Sequence, residues 1–160
     1  MQERITFYPL DVTYRLRNGR AAIYMYGKTA DNKRICVIDT NVKPYFYIQP
    51  KSNEPELIES LRRLKPQYHN NIAEVTDIQH VNKQFNGKTL HLLKVVTKLP
   101  SDVPIIKDEA RKLNGVANCF EYDVPFARRY LFDTGITPLL SATIEGEFIN
   151  ERSRVPVFEA

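Results

Sequence analysis

The most reactive side chains in the sequence are two cysteines and three histidines, and their spacing matches no known catalytic or metal-binding motif. Cys36 and Cys119 each lie in an apolar run, without an obvious neighbour that would activate a thiol. We therefore expect both to be small buried side chains in a reducing compartment. His69, His80 and His91 are far apart along the chain, so the sequence predicts no metal site.

Two acidic pairs have the alternating spacing that places both carboxylates on one face of a strand, which is the minimum for a metal site. They are Glu121 with Asp123, and Glu145 with Glu147. Asp123 precedes a predicted helix, where a carboxylate more often caps the helix than binds a metal. Glu145 and Glu147 flank Gly146 and are expected to face solvent.

Composition indicates one soluble domain of ordinary size, or two closely joined subdomains, because 160 residues with 42% hydrophobic side chains can bury a core. No apolar run is long enough to span a bilayer, and the first residues lack a hydrophobic signal core, so we expect a cytoplasmic protein without membrane contact. The net charge is +4. The first 52 residues carry nine basic and four acidic side chains, interleaved with tyrosines. That pattern suits phosphate contact with base stacking, and it also suits the solvent face of antiparallel strands.

The elements that must position these residues begin with a β meander. Residues 5–16 and 22–29 are rich in β-formers and flank Asn18-Gly19, a tight hairpin signal; a second turn leads into residues 34–39. From residue 44 the pattern predicts strand, helix, strand, strand, helix and strand. The predicted spans are Tyr45–Gln49, a helix from Pro55 to before Pro66, Ile72–Val81, Thr89–Thr97, a helix capped by Asp102 and stopped at Gly115, and Val116–Glu121.

This order is typical of the split βαβ arrangement of ferredoxin-like and RNA-recognition domains. A third helix is predicted from about Pro125 to Thr134, then a strand over Leu139–Ile149, while Arg152–Ala160 shows no clear period. The predicted fold class is α+β: an antiparallel meander (1–43 with about 134–160) joined to a split βαβ part with its following helix (44–133), all in one domain, 1–160.

Enzyme motifs are missing from the sequence. It contains no glycine-rich phosphate loop, no nucleophile elbow and no histidine pair at helical spacing. Acylphosphatase has the strand order predicted for residues 44–121, but the segment 49–53, where its phosphate-binding loop should lie, contains no glycine. The sequence therefore gives little support to that enzymatic alternative.

Four segments together resemble the amino-terminal domain of archaeal family B DNA polymerases. The segment Phe120–Leu131, continued by Asp133–Pro138, is similar to the region that precedes the exonuclease domain in that family. Tyr8–Tyr14 resembles the opening strand, Pro44–Tyr47 the Pro-Tyr-aromatic-Tyr strand, and Leu99–Pro104 the Pro-x-Asp-Val-Pro loop. The resemblance covers essentially the whole chain.

The resemblance implies a module that reads single-stranded template DNA and stalls replication at the deaminated bases uracil and hypoxanthine. No Asp-x-Glu exonuclease pair and no polymerase carboxylates occur in the sequence, so the chain alone is expected to be inert and to need no cofactor. The parent polymerase would use Mg²⁺, and its exonuclease and polymerase domains would be partners of this one.

Matching positions carry the family's functional residues over to this sequence. Lys107 stands where relatives often have Arg, which keeps the charge but loses the bidentate geometry. Lys107, Arg128 and Arg129 are expected to contact the DNA backbone. The base pocket is expected to comprise Tyr14, Pro44, Tyr45, Pro100, Val103, Glu121, Val124 and Phe126.

Two alternatives to base recognition stay open on the sequence. One is a generic single-strand nucleic-acid binder, although Thr89–Thr97, where an RNA-recognition domain carries its longer aromatic signature, has no aromatic residue. The other is a purely architectural domain. Each aromatic residue of the proposed pocket is also a reasonable core residue, and Tyr45 and Tyr47 should share one strand face with Phe46 opposite.

Overall fold

The computed structural model describes residues 2–51, 54–150 and 154–160. The chain divides into two compact units: unit 1 holds the chain up to Val42 together with Pro125–Ala160, and unit 2 is Lys43–Val124. Eleven strands and three helices occur in the described part. In chain order they are β1 (Glu3–Arg17), β2 (Arg20–Thr29), β3 (Arg34–Asp39), β4 (Tyr45–Pro50), α1 (Glu54–Arg63), β5 (Gln67–Tyr68), β6 (Asn71–Ile72), β7 (Val75–Phe85), β8 (Lys88–Thr97), α2 (Asp102–Ala110), β9 (Val116–Phe120), α3 (Phe126–Thr134), β10 (Ala142–Asn150) and β11 (Val157–Glu159).

Unit 1 begins with the predicted meander of β1, β2 and β3. At the first turn Asn18 and Gly19 both have positive φ, 52° and 75°, which is the backbone that a two-residue hairpin of matching twist requires. The two strands then pair antiparallel from Arg17 opposite Arg20. The turn signal in the sequence thus predicts the register as well as the hairpin.

Strands from the end of the chain close this meander into a five-stranded barrel in the order β1-β10-β11-β3-β2. β10 pairs antiparallel with β1, and β11 pairs parallel with β3. β11 lies in the segment 152–160, where the sequence shows no clear period, since three residues are too few to show an alternating pattern. Residues 152 and 153 of that segment lie outside the described residues.

The core of unit 1 lies inside the barrel and is covered by α3. Phe7, Met25 and Phe158 are fully buried, and Phe126 and Tyr130 of α3 pack in the same cluster. Phe126 and Tyr130 are four residues apart and so share one helix face. The sequence-based division placed this helix with residues 44–133, whereas its apolar face belongs to the barrel core. α3 ends at Thr134, as predicted, and Gly135 follows it with φ 73°, the left-handed conformation that commonly ends a helix.

Unit 2 is built on a sheet with strand order β7-β8-β4-β9. This order places β4 and β8, the first and third strands of this sheet along the chain, in the centre, which is the split βαβ arrangement that the sequence predicts. Alternate side chains of the strands, including Phe46 and Leu93, form one core with Leu57 and Leu61 of α1 and with Ile106 of α2. Both helices therefore cover the same face of the sheet.

Two details of unit 2 differ from the sequence-based expectation. The strand predicted to start at Ile72 is divided: Ile72 belongs to the short β5–β6 hairpin, and β7 starts only at Val75. Positive φ angles at His69 and Asn70 form the tight turn of that hairpin. A hairpin with two-residue strands carries no periodic signal that distinguishes it from a loop.

Both thiols are protected as predicted. Cys36 is buried in unit 1 and Cys119 is half-buried in unit 2, and neither forms a disulfide. Burial raises the pKa of both thiols above the ordinary cysteine value. The nucleophilic thiolate is thereby disfavoured at neutral pH. In the described segments, no helix is long and apolar enough to cross a membrane.

Candidate nucleic-acid interface

The face of the unit 2 sheet opposite the two helices carries adjacent tyrosines. Tyr45 and Tyr47 alternate along β4 with the buried Phe46, as predicted. Their ring centroids lie 5.5 Å apart with an interplanar angle of 73°. Edge-to-face packing of this kind stabilises the ring orientation. Tyr45 is half-buried and Tyr47 is 5% exposed.

Two lysines lie over these rings. The Lys94 ammonium is 4.2 Å from the centroid of Tyr45, and the Lys83 ammonium is 4.2 Å from that of Tyr47. Both distances fall within the range of cation–π attraction, worth about 0.5–1 kcal/mol at exposed sites. We call Tyr45, Tyr47, Lys83 and Lys94 the tyrosine–lysine face.

Glu121, a predicted pocket residue, joins this face through Lys83. Its Oε2 is 3.3 Å from the Lys83 ammonium, and its backbone has φ 57°, unusual for a non-glycine residue. Burial alone would lower the pKa of Lys83. The hydrogen bond from Lys83 to Tyr47 and the negative charge of Glu121 outweigh burial, so the pKa lies above its ordinary value. Lys83 is therefore a permanent cation at neutral pH. Sequence reasoning missed both lysines; strand pairing about the Asn86-Gly87 turn would have placed Lys83 and Lys94 on the tyrosine side.

The loop between β8 and α2 is held rigidly beside the start of β4. The Thr97 amide donates to the Pro44 carbonyl at 3.0 Å, and the Thr97 hydroxyl donates to the Leu99 carbonyl at 2.9 Å. The Val103 amide donates to the Pro100 carbonyl at 3.2 Å. The structure therefore brings together three of the predicted pocket residues, Pro44, Pro100 and Val103.

Asp102 anchors this loop, which is a different role from the helix cap that the sequence predicts. The N-cap residue is Ser101, and no side-chain cap bond is made there. The Asp102 side chain is fully buried and accepts hydrogen bonds from the Tyr68 hydroxyl, from the Leu99 amide at 3.1 Å and from the Glu74 amide at 3.4 Å. It links the loop to the β5–β6 region, a long-range contact for which the sequence contains no signal.

The remaining pocket positions of unit 2 are largely sequestered. Val103 is 7% exposed and belongs to the hydrophobic core that α1 and α2 form with the sheet. Pro44 is buried, and Tyr45, Pro100 and Val124 are half-buried. Val103 thus has a structural role in addition to any part it takes in base recognition.

Two predicted pocket residues, Tyr14 and Phe126, lie in unit 1. Their rings contact edge to face, with centroids 5.5 Å apart and an interplanar angle of 85°. Tyr14 is 40% exposed, whereas Phe126 is 9% exposed. Tyr14 is accordingly the one of this pair that presents a free aromatic surface, while Phe126 supports it from the barrel core.

The predicted backbone-contacting cations have different environments. The Lys107 ammonium is 2.7 Å from Asp108 Oδ1 and 4.5 Å from the ring centroid of Tyr122, and Arg111 lies against the same ring. Arg128 is exposed on α3, whereas Arg129 is 7% exposed. Of the two arginines, Arg128 is the one accessible to a phosphate.

A second polar cluster lies on the helix-covered face of the β7–β8 hairpin. His80 Nδ1 is 3.3 Å from His91 Nε2, so the expectation that the histidines are too far apart is wrong for this pair. The hairpin pairs Asn82 with His91 and places His80 diagonally beside it on the same face. Glu54 of α1 approaches both rings. The register about Asn86-Gly87 was the signal that could have revealed this cluster.

Comparison with known proteins identifies the relatives of this chain. It is 32% identical over 130 residues to a DNA polymerase of Pyrococcus glycovorans, a match covering 81% of this chain and 16% of the relative. It is 31% identical over 138 residues to DNA polymerase 2 of Aeropyrum pernix, covering 84% of this chain and 17% of the relative. The chain therefore corresponds to about one sixth of these relatives. No family model matches the sequence.

The solved structures agree with the sequence relatives. The fold superposes on the family B DNA polymerase from the hyperthermophilic archaeon Pyrobaculum calidifontis with a TM-score of 0.84 and 28% identity, covering 97% of this chain and 19% of that one. The class is thus an α+β domain of the kind that family B polymerases carry at their amino terminus. The chain itself belongs with the archaeal family B DNA polymerases and corresponds to their amino-terminal domain.

Proposed function

We propose that this chain is the template-reading module of a family B DNA polymerase, which binds single-stranded template DNA and recognises uracil and hypoxanthine so that replication stalls before the lesion. The observation that carries the proposal is the fixed loop of unit 2. There Thr97 hydrogen-bonds to Pro44 and to Leu99, the residue before Pro100, and the buried Asp102 accepts a hydrogen bond from the Leu99 amide; the family resemblance assigns Pro44 and Pro100 to the base pocket.

A rigid proline-lined loop suits discrimination between uracil and thymine. The two bases differ by the C5 methyl group, and a wall that cannot move excludes that methyl by shape. Hydrophobic pockets discriminate one methyl-sized group by roughly 1–3 kcal/mol, about 10- to 200-fold. Backbone groups of the loop supply donors and acceptors to the Watson–Crick edge, where the amino group of cytosine would leave donors unpaired.

Side chains of each unit, taken separately, suit single-stranded DNA. A base on a single strand leaves the stack at low cost, and an exposed aromatic such as Tyr14 can stack on it for roughly 1–3 kcal/mol. Lys83, with a side chain 44% exposed, and Arg128 supply cations for phosphates. Binding that relies on such cations weakens as salt rises, because condensed counterions are released from the DNA.

The same proposal places catalysis in other parts of a longer protein. The sequence contains no Asp-x-Glu exonuclease pair, so the two-metal chemistry of the parent polymerase would rest on Mg²⁺ held by carboxylates beyond this chain. The exonuclease and polymerase domains would be its physical partners. The module itself would contribute recognition alone.

The direct test is fluorescence anisotropy with four labelled oligodeoxynucleotides that differ only in one base: uracil, hypoxanthine, thymine or cytosine. We expect tighter binding to the first two. Equal affinities for all four would reduce the module to a generic single-strand binder, and no binding at low salt would indicate an architectural domain.

Tyr14 offers a matched pair of variants for this assay. Tyr14→Leu removes the aromatic surface, and we expect the affinity for the uracil oligonucleotide to fall about 5- to 150-fold, corresponding to the 1–3 kcal/mol of one stacked base. Tyr8→Leu is the control, because Tyr8 lies on the same strand and is also 40% exposed. Equal losses in both variants would contradict the assignment of Tyr14 to the pocket.

A further inference from the structure

We propose that Glu54, His80 and His91 form a binding site for a divalent transition metal, of which Zn²⁺ is the best match. One ligand atom from each residue lies within 4.8 Å of the others. His91 Nε2 is 2.9 Å from Glu54 Oε1, His80 Nδ1 is 3.6 Å from Glu54 Oε2, and the two ring nitrogens are 3.3 Å apart. Two imidazoles with one carboxylate are a ligand set that zinc uses.

The separations match a tetrahedral site. Zinc bonds to imidazole nitrogen and carboxylate oxygen are about 2.0–2.1 Å long, so adjacent ligands of a tetrahedral ion are about 3.3 Å apart. The three separations in the structure, 2.9, 3.3 and 3.6 Å, lie around that value. The two Glu54 oxygens each face a different histidine, so a small rotation of the carboxylate brings one oxygen to the ion.

The outer hydrogen bond of His91 orients its ligand nitrogen. His91 Nδ1 is 3.1 Å from Asn82 Oδ1, an acceptor that requires a proton on Nδ1. A neutral imidazole with its proton on Nδ1 has a bare lone pair on Nε2, the atom that faces Glu54 and His80. A second interaction of this kind is the usual support for a metal-bound histidine. Electron-rich atoms then converge on one point, where a cation relieves their repulsion.

The frame around the site is rigid while the site stays accessible. His80 and His91 are on neighbouring strands of one hairpin, and their rings stack with centroids 5.3 Å apart. Glu54 is the first residue of α1, whose Leu57 and Leu61 are buried in the core against the sheet. The side chains of His80 and His91 are 55% and 42% exposed, so solvent can complete the fourth position. Bound metal would fasten the start of α1 to the β7–β8 hairpin.

The test is equilibrium dialysis of the metal-free 160-residue chain against Zn²⁺, with Co²⁺ absorption spectra to report a four-coordinate site. We expect one ion per chain, a higher thermal midpoint with metal, and loss of stoichiometric binding in His80→Ala and His91→Ala. Asn82→Leu should weaken binding about 10- to 100-fold, because it removes the support for His91.

The control variant is His69→Asn, which removes the third histidine of the sequence at a position with φ 44°, a backbone conformation that asparagine tolerates. It should bind Zn²⁺ as the unchanged chain does. Since both ligand histidines are substantially exposed, circular dichroism should show that the alanine variants stay folded. An absence of stoichiometric binding, or equal binding by the His80→Ala and His69→Asn variants, would overturn the proposal.

Discussion

The buried carboxylate of Asp102 offers the most sensitive test of how the pocket loop is held. Asp102→Ala removes the acceptor of three hydrogen bonds, from the Tyr68 hydroxyl and from the Leu99 and Glu74 amides. Hydrogen bonds to a charged group contribute about 1.5–3 kcal/mol each, and the 3.4 Å bond from Glu74 counts for less than the others. We therefore expect the free energy of unfolding to fall by about 3–5 kcal/mol.

The assay is urea denaturation followed by circular dichroism, with Asp102→Asn and Asp108→Ala measured in parallel. Asparagine keeps one acceptor oxygen, so it should lose less stability than alanine. Asp108 is an exposed carboxylate of the same helix, paired with Lys107, and surface pairs of this kind contribute at most about 1 kcal/mol. A loss below 1 kcal/mol for Asp102→Ala, or a loss equal to that of Asp108→Ala, would refute the reasoning.

Two further predictions concern the barrel of unit 1. Burial, and then the adjacent Asp39 carboxylate to which its hydroxyl donates at 2.9 Å, raise the pKa of Tyr130. The folded state therefore keeps this proton above pH 10, where an unfolded tyrosine loses it, so the free energy of unfolding should fall there by about 1.4 kcal/mol per pH unit. Urea titrations at several pH values should show that this fall is missing in Tyr130→Phe. Identical pH profiles for the two proteins would contradict the prediction. Gly146→Ala would place a Cβ onto the Glu159 carbonyl and should lower stability in thermal denaturation by more than about 2 kcal/mol. Gly19 has open space around it, so Gly19→Ala should lower stability by about 1–2 kcal/mol, from its positive φ alone. Equal losses in the two variants would argue against the close approach at Gly146.

The sequence predicts those parts of the fold that depend on local chemistry. The Asn18-Gly19 turn determines a hairpin because both residues adopt positive φ at low cost, and the alternation of Tyr45, Phe46 and Tyr47 determines which side of β4 is buried. The order of the four-stranded sheet and the two helices of unit 2 follows from periods of two and 3.6 in the sequence, whereas the β5–β6 hairpin does not. These features need only neighbours along the chain.

The rest depends on contacts between distant segments. β11 is a strand because its three residues pair with β3 and β10. The buried Asp102 carboxylate is likewise hydrogen-bonded by Tyr68 and Glu74, which are distant in the sequence. The metal-ligand geometry of His80 likewise arises from hairpin register and from the placement of α1. Contacts such as those of β11, Asp102 and α1 leave no local pattern in the sequence, whereas the hairpin register that pairs His80 with His91 is indicated by the Asn86-Gly87 turn.

The affinity ratio between uracil and thymine tests the central claim most directly. Unlabelled oligodeoxynucleotides identical except for one uracil or thymine should compete, at one fixed salt concentration, for the chain bound to a labelled uracil oligonucleotide. A module that excludes the thymine methyl group by shape should favour uracil by roughly tenfold or more. Equal competition by the two oligonucleotides would contradict base recognition by this domain.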